Sequence, residues 1–235
     1  MEREAFLEQL RLRADYLKEL GLDYALDRPE LRAHAREGGS PPSRAVREAP
    51  GRQLFDEPAA PRAPESDPAE RLKAIRQEMG DCRRCRLCEK RTQIVFGAGN
   101  PSARVMFVGE GPGAEEDRQG IPFVGRAGQL LTDIITKGMG VRRESVYIAN
   151  IVKCRPPENR IPQGDEMASC LPFLEAQIEA VNPEVIVALG ATACQGLLGA
   201  PVQITKIRGR WTNFRGIPLM PTFHPSYLLR NHAAK

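Results

Sequence analysis

Phe6, Leu7, Leu10, Leu17 and Leu20 recur among Glu, Arg and Lys at roughly helical spacing, which predicts an amphipathic helical segment over residues 1–30. From Pro41 to Pro68 bulky apolar residues almost vanish in favour of Pro, Ala, Arg, Glu and Ser, so residues 31–68 are expected to form a flexible linker. The folded domain is expected over 69–235. There the pattern changes to short apolar runs alternating with longer segments of helical period. The run 104–108 ends at Gly109 and precedes a helix over 127–139, marked by Leu130, Leu131, Ile134 and Ile135. The run 146–150 precedes a helix over 164–180, and 184–189 precedes Gly190 and a helix over 191–198. A last strand, 219–222, feeds His224. Strands alternating with helices predict an α/β fold, a three-layer sandwich around a central parallel sheet. In such sheets the ligand site opens at the carboxyl ends of the strands, where Gly109, Asn150 and His224 stand.

Composition narrows the class. With 41% hydrophobic residues in 235, the chain can bury a core of ordinary size. No run of 18 apolar residues occurs and charge begins at Glu2, so neither a membrane span nor a secretory signal is readable, and a cytoplasmic location is expected. Net charge is +4, from 34 Lys and Arg against 30 Asp and Glu, which permits a basic groove for a polyanion without requiring one. Without a secretory signal, clustered cysteines favour metal or redox chemistry over disulfides.

Cys82 and Cys85 form a Cys-x-x-Cys knuckle, and Cys154 and Cys170 follow a predicted strand, which makes a four-thiolate set spread across the domain. Such a set suits a structural zinc or an iron–sulfur cluster. The sixteen-residue separation of Cys154 and Cys170 is unlike the second tight knuckle of a zinc ribbon and favours the larger group. Cys88 reads as a spare thiol beside the knuckle and Cys194 as an ordinary buried one.

The turn Gly109-Glu110-Gly111-Pro112-Gly113 could cradle a phosphate, but Pro112 lacks an amide and no Gly-Lys-Ser/Thr follows. Glu110 is better suited to general-base or water-positioning work. Asn150 ends an apolar strand, where an unpaired amide would be costly, and it offers the donor and acceptor that the edge of a uracil-like base requires. His224, between a strand and Pro225, reads either as a functional or as a capping residue.

Taken in order, Cys82-x-x-Cys85, the Gly-Glu-Gly-Pro-Gly turn, Pro122-Phe123-Val124-Gly125-Arg126-Ala127-Gly128, Asn150-Ile151-Val152-Lys153-Cys154-Arg155-Pro156-Pro157 and His224-Pro225-Ser226-Tyr227-Leu228-Leu229 closely resemble the family 4 uracil-DNA glycosylases, the iron–sulfur type of bacteria and archaea. The resemblance covers about 72–231. It implies the α/β sandwich of that superfamily and a DNA-repair enzyme that flips uracil from single- or double-stranded DNA and hydrolyses its N-glycosidic bond. It further implies a 4Fe-4S cluster on Cys82, Cys85, Cys154 and Cys170. Phe123 matches the residue that stacks on uracil, Asn150 the one that reads its edge and His224 the one that faces O2. Glu110 matches the motif carboxylate, Glu116 a nearby acid lining the pocket, and Gly111, Gly113 and Ser226 belong to substrate-binding motifs. Leu228 is the candidate wedge that fills the vacated stack.

Two departures accompany the match. Relatives continue past the His-Pro-Ser turn into a terminal helix, whereas this chain stops at Lys235, so a missing C-terminal helix is expected. The DNA-crosslinking branch carries a reactive histidine in its loop, whereas 155–162 has none here, so ordinary turnover is expected. Other expectations are a monomer near the nucleoid and a possible protein partner at the N-terminal helix. The competing readings are a non-catalytic iron–sulfur nucleic-acid-binding protein and a family 5 type glycosylase of wider base tolerance.

Overall fold

The computed structural model describes residues 67–234. The predicted N-terminal helix and nearly all of the linker lie outside the described residues. The domain opens with α1, Pro68–Met79, whose first turn is capped by the Asp67 side chain accepting from the Ala69 amide at 3.4 Å, with Pro68 at the first helical position. Six strands follow in a single sheet: β1 Ala98–Gly99, β2 Val105–Gly109, β3 Tyr147–Asn150, β4 Val185–Leu189, β5 Thr212–Phe214 and β6 Ile217–Thr222. Their spatial order is β1-β3-β2-β4-β6-β5.

The four inner strands are parallel, as their apolar runs predict. The two edges are antiparallel, a departure from a purely parallel sheet. β1 has two residues and β5 three, too short to show a period of two, and β5 pairs only through a hairpin. That hairpin turns on Arg215 at φ 49° and Gly216 at φ 90°, the paired positive angles of a tight turn matched to strand twist.

Successive side chains on β2 divide the core. Met106 and Val108 face Leu174 and Ile178 of α4 (Gly164–Val181) and Ala193, Cys194 and Leu197 of α5 (Ala191–Leu198). Phe107 faces the other way, toward Phe123, Leu131 and Ile135. Leu131 belongs to α3, Arg126–Asp133, and Ile135 to a π-helical turn, Ile134–Gly138, that continues it. The helix expected over 127–139 thus changes its hydrogen-bonding pattern at Ile134. The short helices are α2 Ala114–Gln119, α6 Ile204–Ile207 and α7 Pro225–Arg230. Among the described residues no helix is long and apolar enough to cross a membrane.

Register fixes where the chemistry gathers. Gly109 pairs with Asn150 at the carboxyl ends of β2 and β3, and Leu189 pairs with Thr222 at the ends of β4 and β6. The Gly-Glu-Gly turn, Asn150, Gly190 and His224 therefore emerge along one edge of the sheet.

Candidate active site and cysteine centre

A cavity of about 680 Å³ opens on that edge, lined among others by Glu110, Gly111, Gly113, Glu116, Phe123, Asn150, Thr192, His224 and Ser226. Asn150 sits at its floor, 1% exposed, and its Oδ1 has no hydrogen-bond partner. A buried carbonyl oxygen without a donor costs about 1–3 kcal/mol, which a ligand N–H would relieve. Gly109 makes room for this arrangement: a Cβ there would lie 2.5 Å from Asn150 Oδ1 and 2.6 Å from the Phe123 ring.

Phe123 is buried and adopts φ 54°, an uncommon backbone for a bulky residue. Its ring centroid lies 5.6 Å from that of His224, tilted by 33°. One edge of the Phe123 loop is tied down by Glu116, whose Oε1 accepts from the amides of Val124 at 3.0 Å and Gly125 at 2.9 Å. The Glu116 Oε2 accepts from Gly113 at 3.1 Å, so the same carboxylate joins the glycine turn to the Phe123 loop. Glu116 lines the pocket, and its carboxylate is spent on three backbone amides.

His224 caps α7. Its Nδ1 accepts from the Ser226 amide at 3.1 Å and lies 2.8 Å from Ser226 Oγ. A ring nitrogen that accepts an N–H carries no proton, so the neutral ring holds its hydrogen on Nε2. Burial, assisted by the Arg230 charge, pushes the His224 pKa down to about 4. The ring is therefore neutral near pH 7, with Nε2–H as its donor. Glu110 receives a hydrogen bond from the Thr192 hydroxyl, and burial raises its pKa above the usual carboxylate value although that bond opposes the shift.

The cysteines converge elsewhere. Cys82, Cys85, Cys154 and Cys170 line one small cavity with Arg91, Lys153 and Phe173, and Cys88 is not in its lining. Arg91 Nη1 donates to Cys154 Sγ at 3.3 Å and the Lys153 amide to Cys170 Sγ at 3.3 Å. Burial raises the pKa of Cys85, of Cys170 and of Cys154, the last to about 11. No three His, Cys, Asp or Glu side chains among the described residues are grouped so as to hold a single metal ion. The shared cavity brings four thiols together, and two N–H donors reach the sulfurs of Cys154 and Cys170.

A family model described as the uracil DNA glycosylase superfamily matches residues 96–235. A type-4 uracil-DNA glycosylase of Thermotoga maritima is 53% identical over 166 residues, 70% of this chain and 86% of the relative. A type-4 enzyme of Pyrobaculum aerophilum is 41% identical over 172 residues, 70% of this chain and 87% of the relative. The chain belongs to the type-4 uracil-DNA glycosylases. A type-5 glycosylase from that same Pyrobaculum is 35% identical over 147 residues, 55% of this chain and 64% of the relative, a weaker match on both measures.

For this type-4 glycosylase the sheet edge gathers Glu110, Gly111, Gly113, Glu116, Phe123, Asn150, His224 and Ser226 around one cavity, and the four cysteines around another. Leu228 stands apart. It is half-buried on α7 and outside the pocket lining, while its neighbour Tyr227 is exposed at the rim. Sequence reasoning missed Thr192, the partner of Glu110. Its signal was Gly190 closing β4, since that strand ends on the same edge.

Proposed function

We propose that this glycosylase flips uracil out of single- or double-stranded DNA and hydrolyses its N-glycosidic bond, releasing free uracil and leaving an abasic site. The observation that carries the proposal is the orphaned Asn150 Oδ1 beneath the buried Phe123 ring. A uracil stacked on Phe123 would offer its N3–H to Oδ1, and its O4 would take the Asn150 amide hydrogens. His224 Nε2–H would then face O2 and stabilise the negative charge that builds on the departing base. The neutral ring donates to that oxygen without having to surrender a full proton. Glu110, held by Thr192, positions or deprotonates the water that attacks the oxocarbenium-like sugar. Leu228 on α7, although outside the pocket lining, would be the wedge that fills the vacated stack.

Cys82, Cys85, Cys154 and Cys170 would hold a 4Fe-4S cluster, a reading supported by the four thiols that share one cavity. These four ligands would tie the knuckle after α1 to the β3–α4 region when such a group is held. The enzyme would work as a monomer in the cytoplasm, on the DNA of the nucleoid.

The test is an oligonucleotide bearing one uracil, incubated with enzyme and cleaved with alkali at abasic sites. His224→Ala is expected to lower the single-turnover rate by about 10² or more while binding to uracil DNA changes little. Asn150→Asp should weaken uracil recognition and alter the preference for uracil over cytosine. Binding by the wild-type protein without uracil release would overturn the catalytic reading.

A further inference from the structure

The geometry points to Arg143 as a positioning residue for base recognition, one that holds Phe123 in the strained backbone its stacking requires. The inference rests on the uracil pocket proposed above and goes beyond it by naming what sets the stacking surface.

Phe123 presents its ring to the cavity from a left-handed backbone, φ 54°, which costs a bulky side chain of order 1–3 kcal/mol unless its surroundings impose it. Glu116 holds the amides that follow it, at Val124 and Gly125. Arg143 holds the carbonyls on the other side. Its Nη2 donates to Pro122 O at 2.8 Å and to Phe123 O at 3.0 Å, and its Nη1 to Thr132 Oγ1 at 2.9 Å. Thr132 in turn donates to Gly128 O at 3.0 Å. Gly128 is where α3 presses closest on this loop, since a Cβ there would fall 1.9 Å from Phe123 O.

One carboxylate and one guanidinium thus grip the same strained segment, the acid on its N–H groups and the base on its C=O groups. The hydrogen bonds of Arg143 end on neutral oxygens of the Phe123 loop and α3. Only a planar group with several donors reaches two adjacent carbonyls and a hydroxyl at once.

Arg143 also fixes where the clamp sits. It lies on the 3₁₀ turn Arg143–Ser145, immediately before β3, the strand that ends on Asn150. A displacement of the Phe123 loop relative to β3 would have to break the guanidinium bonds. Arg143 therefore registers the stacking face against the hydrogen-bonding edge, although it does not itself line the cavity.

Stacking on a flipped base contributes alike to the bound substrate and to the transition state, so loosening it should raise KM and leave kcat nearly unchanged. Uracil release from an oligonucleotide would be compared for wild type, Arg143→Gln, Arg143→Lys, Phe123→Ala and the Arg143→Gln/Phe123→Ala double variant, with folding checked by circular dichroism. Arg143→Gln should raise KM about tenfold, and Arg143→Lys, which can reach only part of the acceptor set, should fall between it and wild type. In the Phe123→Ala background Arg143→Gln should add less than about a twofold change, because the ring it positions is gone.

Multiplicative effects in the double variant would overturn the inference, and so would a loss confined to kcat. If Arg143→Gln does not fold, the comparison passes to Arg143→Lys in both backgrounds, with the same two outcomes deciding it. Phe123→Ala cleaving as well as wild type would instead sink the pocket reading, whatever Arg143 does.

Discussion

His224 carries the leaving-group role proposed for this site, and its protonation can be followed by pH. The free side chain titrates near 6.5, whereas burial holds the folded-state value near 4. Between those two values the unfolded chain binds a proton that the folded chain refuses, so this residue makes stability fall as pH drops from about 6.5 toward 4. Urea midpoints measured across that window should therefore decline less steeply in His224→Asn than in wild type. The ring should also stay neutral from pH 8 down to about 5, so the single-turnover rate is expected to show no inflection near 6.5. Under the role proposed for Glu110, an acidic limb would report that carboxylate, whose pKa burial raises above its ordinary value. Gly109 gives a sharper structural test. A methyl group there displaces both Asn150 Oδ1 and the Phe123 ring, so Gly109→Ala should fold yet lose about 10² in rate, the scale expected for a small misplacement of reacting groups. Asn150 and His224 were readable from sequence because each is a polar residue where an apolar strand ends. Thr192 and Arg143 were not, because an arginine before a strand and a threonine opening a helix look ordinary until the sheet register brings them to the pocket.

At the level of elements, the parallel strands and the helices over 164–180 and 191–198 were legible because their apolar runs are long and their periods clear. The helix α5 spans Ala191–Leu198, as its pattern predicts. The antiparallel edges were hidden: two- and three-residue strands carry no period, and β6 is interrupted by Pro218 and Pro221. The π-helical turn after α3 was also invisible, since Ile134 and Ile135 satisfy a helical apolar pattern whichever hydrogen-bond ladder is used. The β5–β6 turn lies at the start of β6, at the opposite end of that strand from His224. Gly216→Ala puts a side chain at φ 90° and should lower unfolding free energy by about 1 kcal/mol in a urea titration. The rate of uracil release by the folded variant should not change.

Across the whole domain, two centres occupy separate cavities and share the β3–α4 connection. Lys153 shows how close they come. Its amide donates to Cys170 Sγ, while its buried Nζ donates to Asn150 O at 2.9 Å and Gln177 Oε1 at 2.6 Å. Thiols whose pKa burial has raised must lose protons to bind metal, so loading with iron should release protons and weaken at acid pH. Anaerobically purified protein should be brown and contain iron, and Cys88→Ala should leave the visible absorption in place; stoichiometric zinc without iron would contradict the cluster. A protein beginning at Pro68 should release uracil at the full-length rate, because every pocket residue lies after Gly109. The pocket is completed only by His224 and the α7 residues that follow it, more than a hundred residues after Gly109 and beyond the last strand. A nascent chain that has not yet reached β6 lacks both the strand that leads to that histidine and the ring itself, and no fragment ending before that turn holds the complete pocket.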